Sequence, residues 1–124
     1  MTAPFFGDFD VEDAYDTVSA DPDQVGRKLH GYRVLVEQLA GHTIPAYDEL
    51  SHADRDRLGG IGEVIVEYAA AHDPDNLELA RTIHGAARLP GSPMWDLLPV
   101  DHKRLAIALA GLIAAWMQRQ GSWR

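Results

Sequence analysis

Apolar residues recur at helical spacing in four stretches of the chain, and no alternating Val, Ile or Thr run is long enough for a strand. The longest signal covers residues 100 to 119, where Leu105, Leu109, Leu112, Ile113 and Trp116 fall on helical positions. This segment is apolar almost all round, so it reads as the central buried helix, with Trp116 closing its end. Its uninterrupted apolar run, Leu105 to Met117, is short of the ~20 residues that span a bilayer and is bracketed by Lys103-Arg104 and Arg119. Ala106, Ala108, Ala110, Gly111, Ala114 and Ala115 would let neighbouring helices approach closely, inside the domain or across a homodimer. A second long helix is predicted from 52 to 72, with Ile61, Val64, Ile65 and Tyr68 on its apolar face. Ser51 opens it in a capping box that has Asp54 in place of the usual Glu. Helices over 23 to 40 and 76 to 88 are opened by Asp21-Pro22 and by Asp73-Pro74-Asp75, an acid before the first turn and a proline beside it. Pro90-Gly91-Ser92-Pro93 forces a loop. A shorter amphipathic helix fits Val11 to Ser19. The expected fold is all-α, with four to five helices.

Laid on itself, the chain repeats. At an offset of 48, Pro45-Ala46-Tyr47-Asp48-Glu49-Leu50 aligns with Pro93-Met94-Trp95-Asp96-Leu97-Leu98, and Ile61 to Tyr68 aligns with Leu109 to Trp116. Upstream, Arg27-Lys28-Leu29-His30-Gly31 aligns with Arg81-Thr82-Ile83-His84-Gly85 at an offset of 54, so the second unit has the shorter loop. Length changes confined to a loop are what two copies of one fold tolerate. The sequence therefore divides into an N-terminal arm, 1–20, and one helical domain, 21–124, made of units 22–72 and 76–119 related by a pseudo-two-fold.

The repeated residues admit two readings. In the structural one, Tyr47 and Trp95 pack their turns, Asp48 and Asp96 cap them, and Leu50 and Leu98 anchor them. His30 and His84 would then bond a carbonyl or carboxylate in the other helix, and Arg27 and Arg81 would pair with such an acid. In the functional one, Arg27, His30, Tyr47, Asp48, Arg81, His84, Trp95 and Asp96 line a ligand-binding cleft between the units.

The stretch Ile44-Pro45-Ala46-Tyr47-Asp48-Glu49-Leu50-Ser51-His52-Ala53-Asp54-Arg55, preceded by a helix carrying His30, resembles the ryanodine-receptor repeat of small bacterial and phage proteins. The second unit, with His84 and Pro93-Met94-Trp95-Asp96-Leu97-Leu98-Pro99, is similar to Pro-Trp-x-x-Leu-Pro variants of short phage-encoded helical proteins. Gly31 and Gly85 stand where that family has Glu after the His, and the Trp that follows there is missing in both units. The resemblance implies a small-ligand binder, nucleotide-like in its ligand, that uses the cleft between the units.

Composition narrows the function further. The formal charge is −8 over 124 residues, yet seven acids precede the first base, Arg27: Asp8, Asp10, Glu12, Asp13, Asp16, Asp21 and Asp23. Such a balance argues against direct nucleic-acid binding, which relies on Lys and Arg neutralising phosphates. The arm, Phe5-Phe6-Gly7-Asp8-Phe9-Asp10-Val11-Glu12-Asp13, interleaves aromatics with acids. It either staples onto the body or forms a partner-binding segment, its Phe5, Phe6 and Phe9 filling pockets while Asp8, Asp10, Glu12 and Asp13 steer it to a basic protein surface. No signal or lipidation motif occurs and there is no cysteine, so a cytoplasmic protein of a bacterial or phage-infected host is expected. Nine arginines against two lysines suggest a GC-rich coding sequence.

Catalytic patterns are missing. The histidines, at 30, 42, 52, 72, 84 and 102, form no His-x3-His, His-Glu-x-x-His or Glu-x-x-His pattern, so no metal site is expected. Glu63 and Glu67 lie one turn apart, as in helical nucleotide pyrophosphohydrolases, but the matching positions of the second long helix are Gly111 and Ala115. Gly59-Gly60-Ile61-Gly62 follows no strand and reads as a close helix crossing rather than a phosphate loop. The expectation is a non-enzymatic interaction or accessory protein with no cofactor. The ligand-binding module is the alternative, and a metal-dependent hydrolase ranks last.

Overall fold

The computed structural model describes residues 21–123. The arm and the helix expected over Val11 to Ser19 lie outside them. The described chain is all-helical: α1 (Pro22–Leu39), a 3₁₀ turn (Tyr47–Glu49), α2 (His52–Ala71), α3 (Asn76–Ala87), a second 3₁₀ turn (Trp95–Leu97) and α4 (Val100–Arg119).

Side-chain caps define where the helices start. Asp21 accepts from the Asp23 N–H at 3.0 Å with Pro22 in the first turn, Ser51 Oγ accepts from the Asp54 N–H at 3.1 Å, and Asp75 accepts from the Glu78 N–H at 3.0 Å. α1 and α4 end alike. Gly41 (φ 86°) and Gly121 (φ 71°) take the left-handed conformation, and the next N–H in each reaches back into the last turn, His42 to the Glu37 carbonyl and Ser122 to the Met117 carbonyl.

Each helix packs on its chain neighbour and α4 returns against α1, giving a four-helix bundle. Its centre holds Val25 and Leu29 of α1, Ile61, Ile65, Tyr68 and Ala69 of α2, Leu79 and Ala80 of α3, and Ala110, Ile113, Ala114 and Met117 of α4. The crossing of α1 and α2 is glycine-dependent. A β-carbon on Gly62 would run into the Pro22 carbonyl oxygen, and one on Gly26 into the Leu58 carbonyl, so of the glycine run it is Gly62 that permits the close approach; Gly60 faces open space.

Two expectations about the long helices need correction. α4 is not buried all round: Ile113 and Met117 are sealed, whereas Leu112 is 39% exposed and Trp116 packs against the core only in part. Among the described residues α4 packs mainly on two helices, α3 and α1, which leaves part of its circumference uncovered by them. The aromatic that does seal the end of the bundle is Trp123, beyond the last helix. Its indole N–H donates to the His72 carbonyl at 2.9 Å and its ring meets Tyr68 edge-on at 5.8 Å, while His72 stacks on the Tyr68 ring at 4.4 Å. Tyr68 in turn donates to Glu78 at 2.7 Å. Burial, then that hydrogen bond and the carboxylates of Glu78 and Asp75, push the Tyr68 phenol up to about 12. No described helix is long and apolar enough to cross a membrane.

Candidate functional site

The eight repeated residues fall into two clusters, one per unit. In the first, His30 on α1 is buried and its Nε2 donates to the Pro45 carbonyl at 2.7 Å; a carbonyl only accepts, so Nε2 carries the proton. The His30 ring also meets Tyr47 edge-on, with centroids 6.5 Å apart. Arg27 donates to Asp48 at 2.9 Å and lies over the Tyr47 ring at 4.7 Å. The second cluster repeats this arrangement. His84 Nε2 donates to the Pro93 carbonyl at 3.0 Å, His84 meets Trp95 edge-on at 5.9 Å, and Arg81 faces Asp96 at 3.8 Å.

The expectation that Asp48 and Asp96 cap their turns is not met, because both carboxylates turn outward to the arginines. In the first turn the adjacent Glu49 caps instead, accepting from the Ala46 N–H at 3.2 Å; Leu97 replaces it in the second, which has no side-chain cap. The structure adds a fifth repeated pair that sequence matching misses. Arg55 donates to the Asp48 carbonyl at 2.6 Å and Lys103 to the Asp96 carbonyl at 3.3 Å, and these two residues are separated by the same offset of 48. Each cluster thus ties the loop of its unit to the helices on either side.

A different place offers uncommitted surface. Between α1 and α4 runs an open groove of about 470 Å³ lined by Gln24, Arg27, Lys28, Gly31, Tyr32, Leu35 and Trp116. The α1 residues share one face because they recur every three or four positions. Trp116 enters from α4. The Lys28 ammonium lies 5.2 Å from the Tyr32 ring centroid and 5.9 Å from that of Trp116, with no carboxylate partner among the described residues. Leu35 is 57% exposed, and a β-carbon at Gly31 would meet none of the described residues within 4 Å. Among the described residues the groove therefore combines two aromatic faces, an exposed leucine and two cations, of which Arg27 is already paired with Asp48, and no acid. Of the eight sequence-selected residues only Arg27 borders it.

Two other surfaces are less convergent. A second groove of about 480 Å³ is lined by Asp21, Pro22, Asp23, Asp56, Gly59, Gly60 and Glu63, and among the described residues no group of three or more His, Asp or Glu is placed to hold a metal ion. Leu89, Met94, Leu97 and Val100 are exposed around the second 3₁₀ turn, where the first unit has Ala46, Glu49 and His52 opposite the last three. Phe5, Phe6, Asp8, Phe9, Asp10, Glu12 and Asp13, the expected partner-binding residues, lie outside the described chain. Comparison of the chain with models of protein families, with curated proteins and with solved structures gives no match.

Proposed function

We propose that this protein is a non-enzymatic interaction module that receives an acidic, aromatic protein segment in the α1–α4 groove. The observation that carries the reading is the meeting of Lys28, Tyr32, Leu35 and Trp116 in one open groove. Half-buried aromatics that border the groove beside a cation suit a partner that supplies apolar side chains and carboxylates, because the rings offer rigid contact area and the charges set register. The recurrent loop clusters support reading the two units as copies of one fold, with the His, Arg and Asp residues serving as loop closures in both. A ligand cleft between the units draws less support, since those side chains already bond within their own unit.

Peptide selection against the immobilised full-length chain tests this. Selected peptides should carry an aromatic next to Asp or Glu, and Leu35→Glu, a change at an exposed residue, should weaken them by roughly 30-fold, the ~2 kcal/mol of a hot-spot contact. Leu97→Glu, at 75% exposure on the second 3₁₀ turn, should leave them unchanged. Peptides lost on Leu97→Glu and retained on Leu35→Glu would refute the reading.

A further inference from the structure

We propose that the groove is occupied in cis by the chain's own N-terminal segment. Phe5, Phe6 and Phe9 would lie against Tyr32, Leu35 and Trp116, and the acids that follow would lie beside Lys28 and Arg27. This inference rests on the groove being a binding surface, as proposed above, and names its resident occupant.

Charge is the first argument. Residues 1–20 contain five acids, Asp8, Asp10, Glu12, Asp13 and Asp16, and no base, whereas the described residues that line the groove include no acid and two bases, Arg27, paired with Asp48, and Lys28, which has no carboxylate partner among the described residues. Composition is the second: all three phenylalanines of the protein lie within Phe5 to Phe9, interleaved with carboxylates in the way an aromatic and cationic groove complements.

Chain geometry is the third. The described chain begins at Asp21, and the first groove residue, Gln24, lies less than one helical turn further on. At ~1.5 Å per residue, the α1 side of the groove from Gln24 to Leu35 is ~16 Å long. The residues between Phe9 and Asp21 can span up to ~36 Å at ~3.3 Å each, so the segment can double back along α1 with slack. Its order also fits, the acids nearest Asp21 falling beside Arg27 and Lys28 and the phenylalanines reaching the Tyr32–Leu35 end. A tether this short presents the segment at an effective concentration on the order of millimolar, so a contact too weak to hold between separate molecules still fills the groove. A partner using the same groove must displace it, which makes the arm a built-in competitor.

The test uses the full chain labelled with 5-fluorotryptophan. Trp95, Trp116 and Trp123 give three fluorine resonances, assigned by single Trp→Phe variants; Trp116 reports the groove, and the other two report the integrity of the fold. Two arm variants are compared with the parent, one combining Phe5→Ala, Phe6→Ala and Phe9→Ala, the other combining Asp8→Asn, Asp10→Asn, Glu12→Gln and Asp13→Asn. Both should shift the Trp116 resonance in the same direction, leave Trp95 and Trp123 in place, and do so equally in dilute and concentrated samples. A Trp116 resonance unmoved by both variants overturns the proposal. So does a shift that fades on dilution, which would assign the groove to the arm of a second copy. Because the Leu35→Glu peptide experiment is read independently, loss of the cis contact with Leu35 dependence intact leaves the binding groove standing, and loss of Leu35 dependence removes the groove itself.

Discussion

Two glycines in one turn of α2 should respond to the same substitution with opposite sign. Replacing an interior helical glycine by alanine removes backbone freedom from the unfolded chain and favours the helix by about 0.8 to 1 kcal/mol. At Gly60, where a β-carbon meets nothing within 4 Å, that gain should be realised nearly in full. At Gly62 the new methyl runs into the Pro22 carbonyl and lies 3.1 Å from the Gly26 nitrogen, both backbone atoms at the start of α1. Neither can swing aside as a flexible side chain would, so α1 must lift away from α2 and loosen Val25 and Leu29 against the core. Overpacking of this kind costs about 1 to 3 kcal/mol, and a backbone collision belongs at the upper end, which outweighs the helical gain and leaves a net loss of about 1 to 2 kcal/mol. The two variants should therefore differ by about 2 to 3 kcal/mol, or roughly 10 °C in Tm for a domain of this size. Thermal unfolding followed by far-ultraviolet circular dichroism reads this directly. A Gly62→Ala protein that unfolds at or above Gly60→Ala would mean that α1 and α2 do not cross as closely as described.

The loop closures should be unequal: His30→Ala, which leaves a carbonyl without its donor at a buried position, should cost about 2 to 3 kcal/mol, and His84→Ala, at an exposed bond, about 1 kcal/mol by denaturant titration. Equal losses would contradict the difference in burial. Ile113→Ala should cost about 3 to 4 kcal/mol, more than Trp116→Ala at about 2, because Ile113 is fully buried and Trp116 borders the groove; the reverse order in the same titration would restore Trp116 to the core. Tyr68 makes stability depend on alkaline pH. With its folded pKa raised to about 12, the native state keeps a proton that the unfolded chain releases near pH 10, so this contribution is complete below pH 10 and is lost as pH rises towards 12. Tyr68→Phe should flatten that decline in unfolding midpoint, and an unchanged slope would rule the linkage out.

Much of the fold is legible in the sequence because its signals are local. Asp21, Ser51 and Asp75 cap within three residues of themselves, so the predicted helix limits agree with the observed ones to within a residue. The repeat points to the right kinds of bond, histidine to a carbonyl and arginine to an acid, but not to the partners, which lie in the adjoining loops and 3₁₀ turns, at Pro45, Pro93, Asp48 and Asp96, and not in the other helix. What it does not reveal is facing. α4 is apolar around most of its circumference, and periodicity cannot choose which side of such a helix is covered, which is why the pattern alone places Trp116 inside. Trp123 lies beyond the periodic segment and finds Tyr68 and His72 only through the chain's return across the bundle. The groove is hidden from the sequence for the same reason, since Lys28 and Trp116 are brought together by tertiary packing alone.

The central claim, that the α1–α4 groove is the binding surface, is tested most directly by photo-crosslinking from Gly31 and from its repeat counterpart Gly85. Both are exposed helical glycines with no described residue within 4 Å of a β-carbon, so each accepts a benzophenone side chain without disturbing the core. From Gly31 the account predicts an intramolecular crosslink to residues 1–20 in purified protein, and in cells a crosslink to a partner through an acidic, aromatic segment. From Gly85 it predicts neither. Crosslinks that form from Gly85 and not from Gly31 would contradict it.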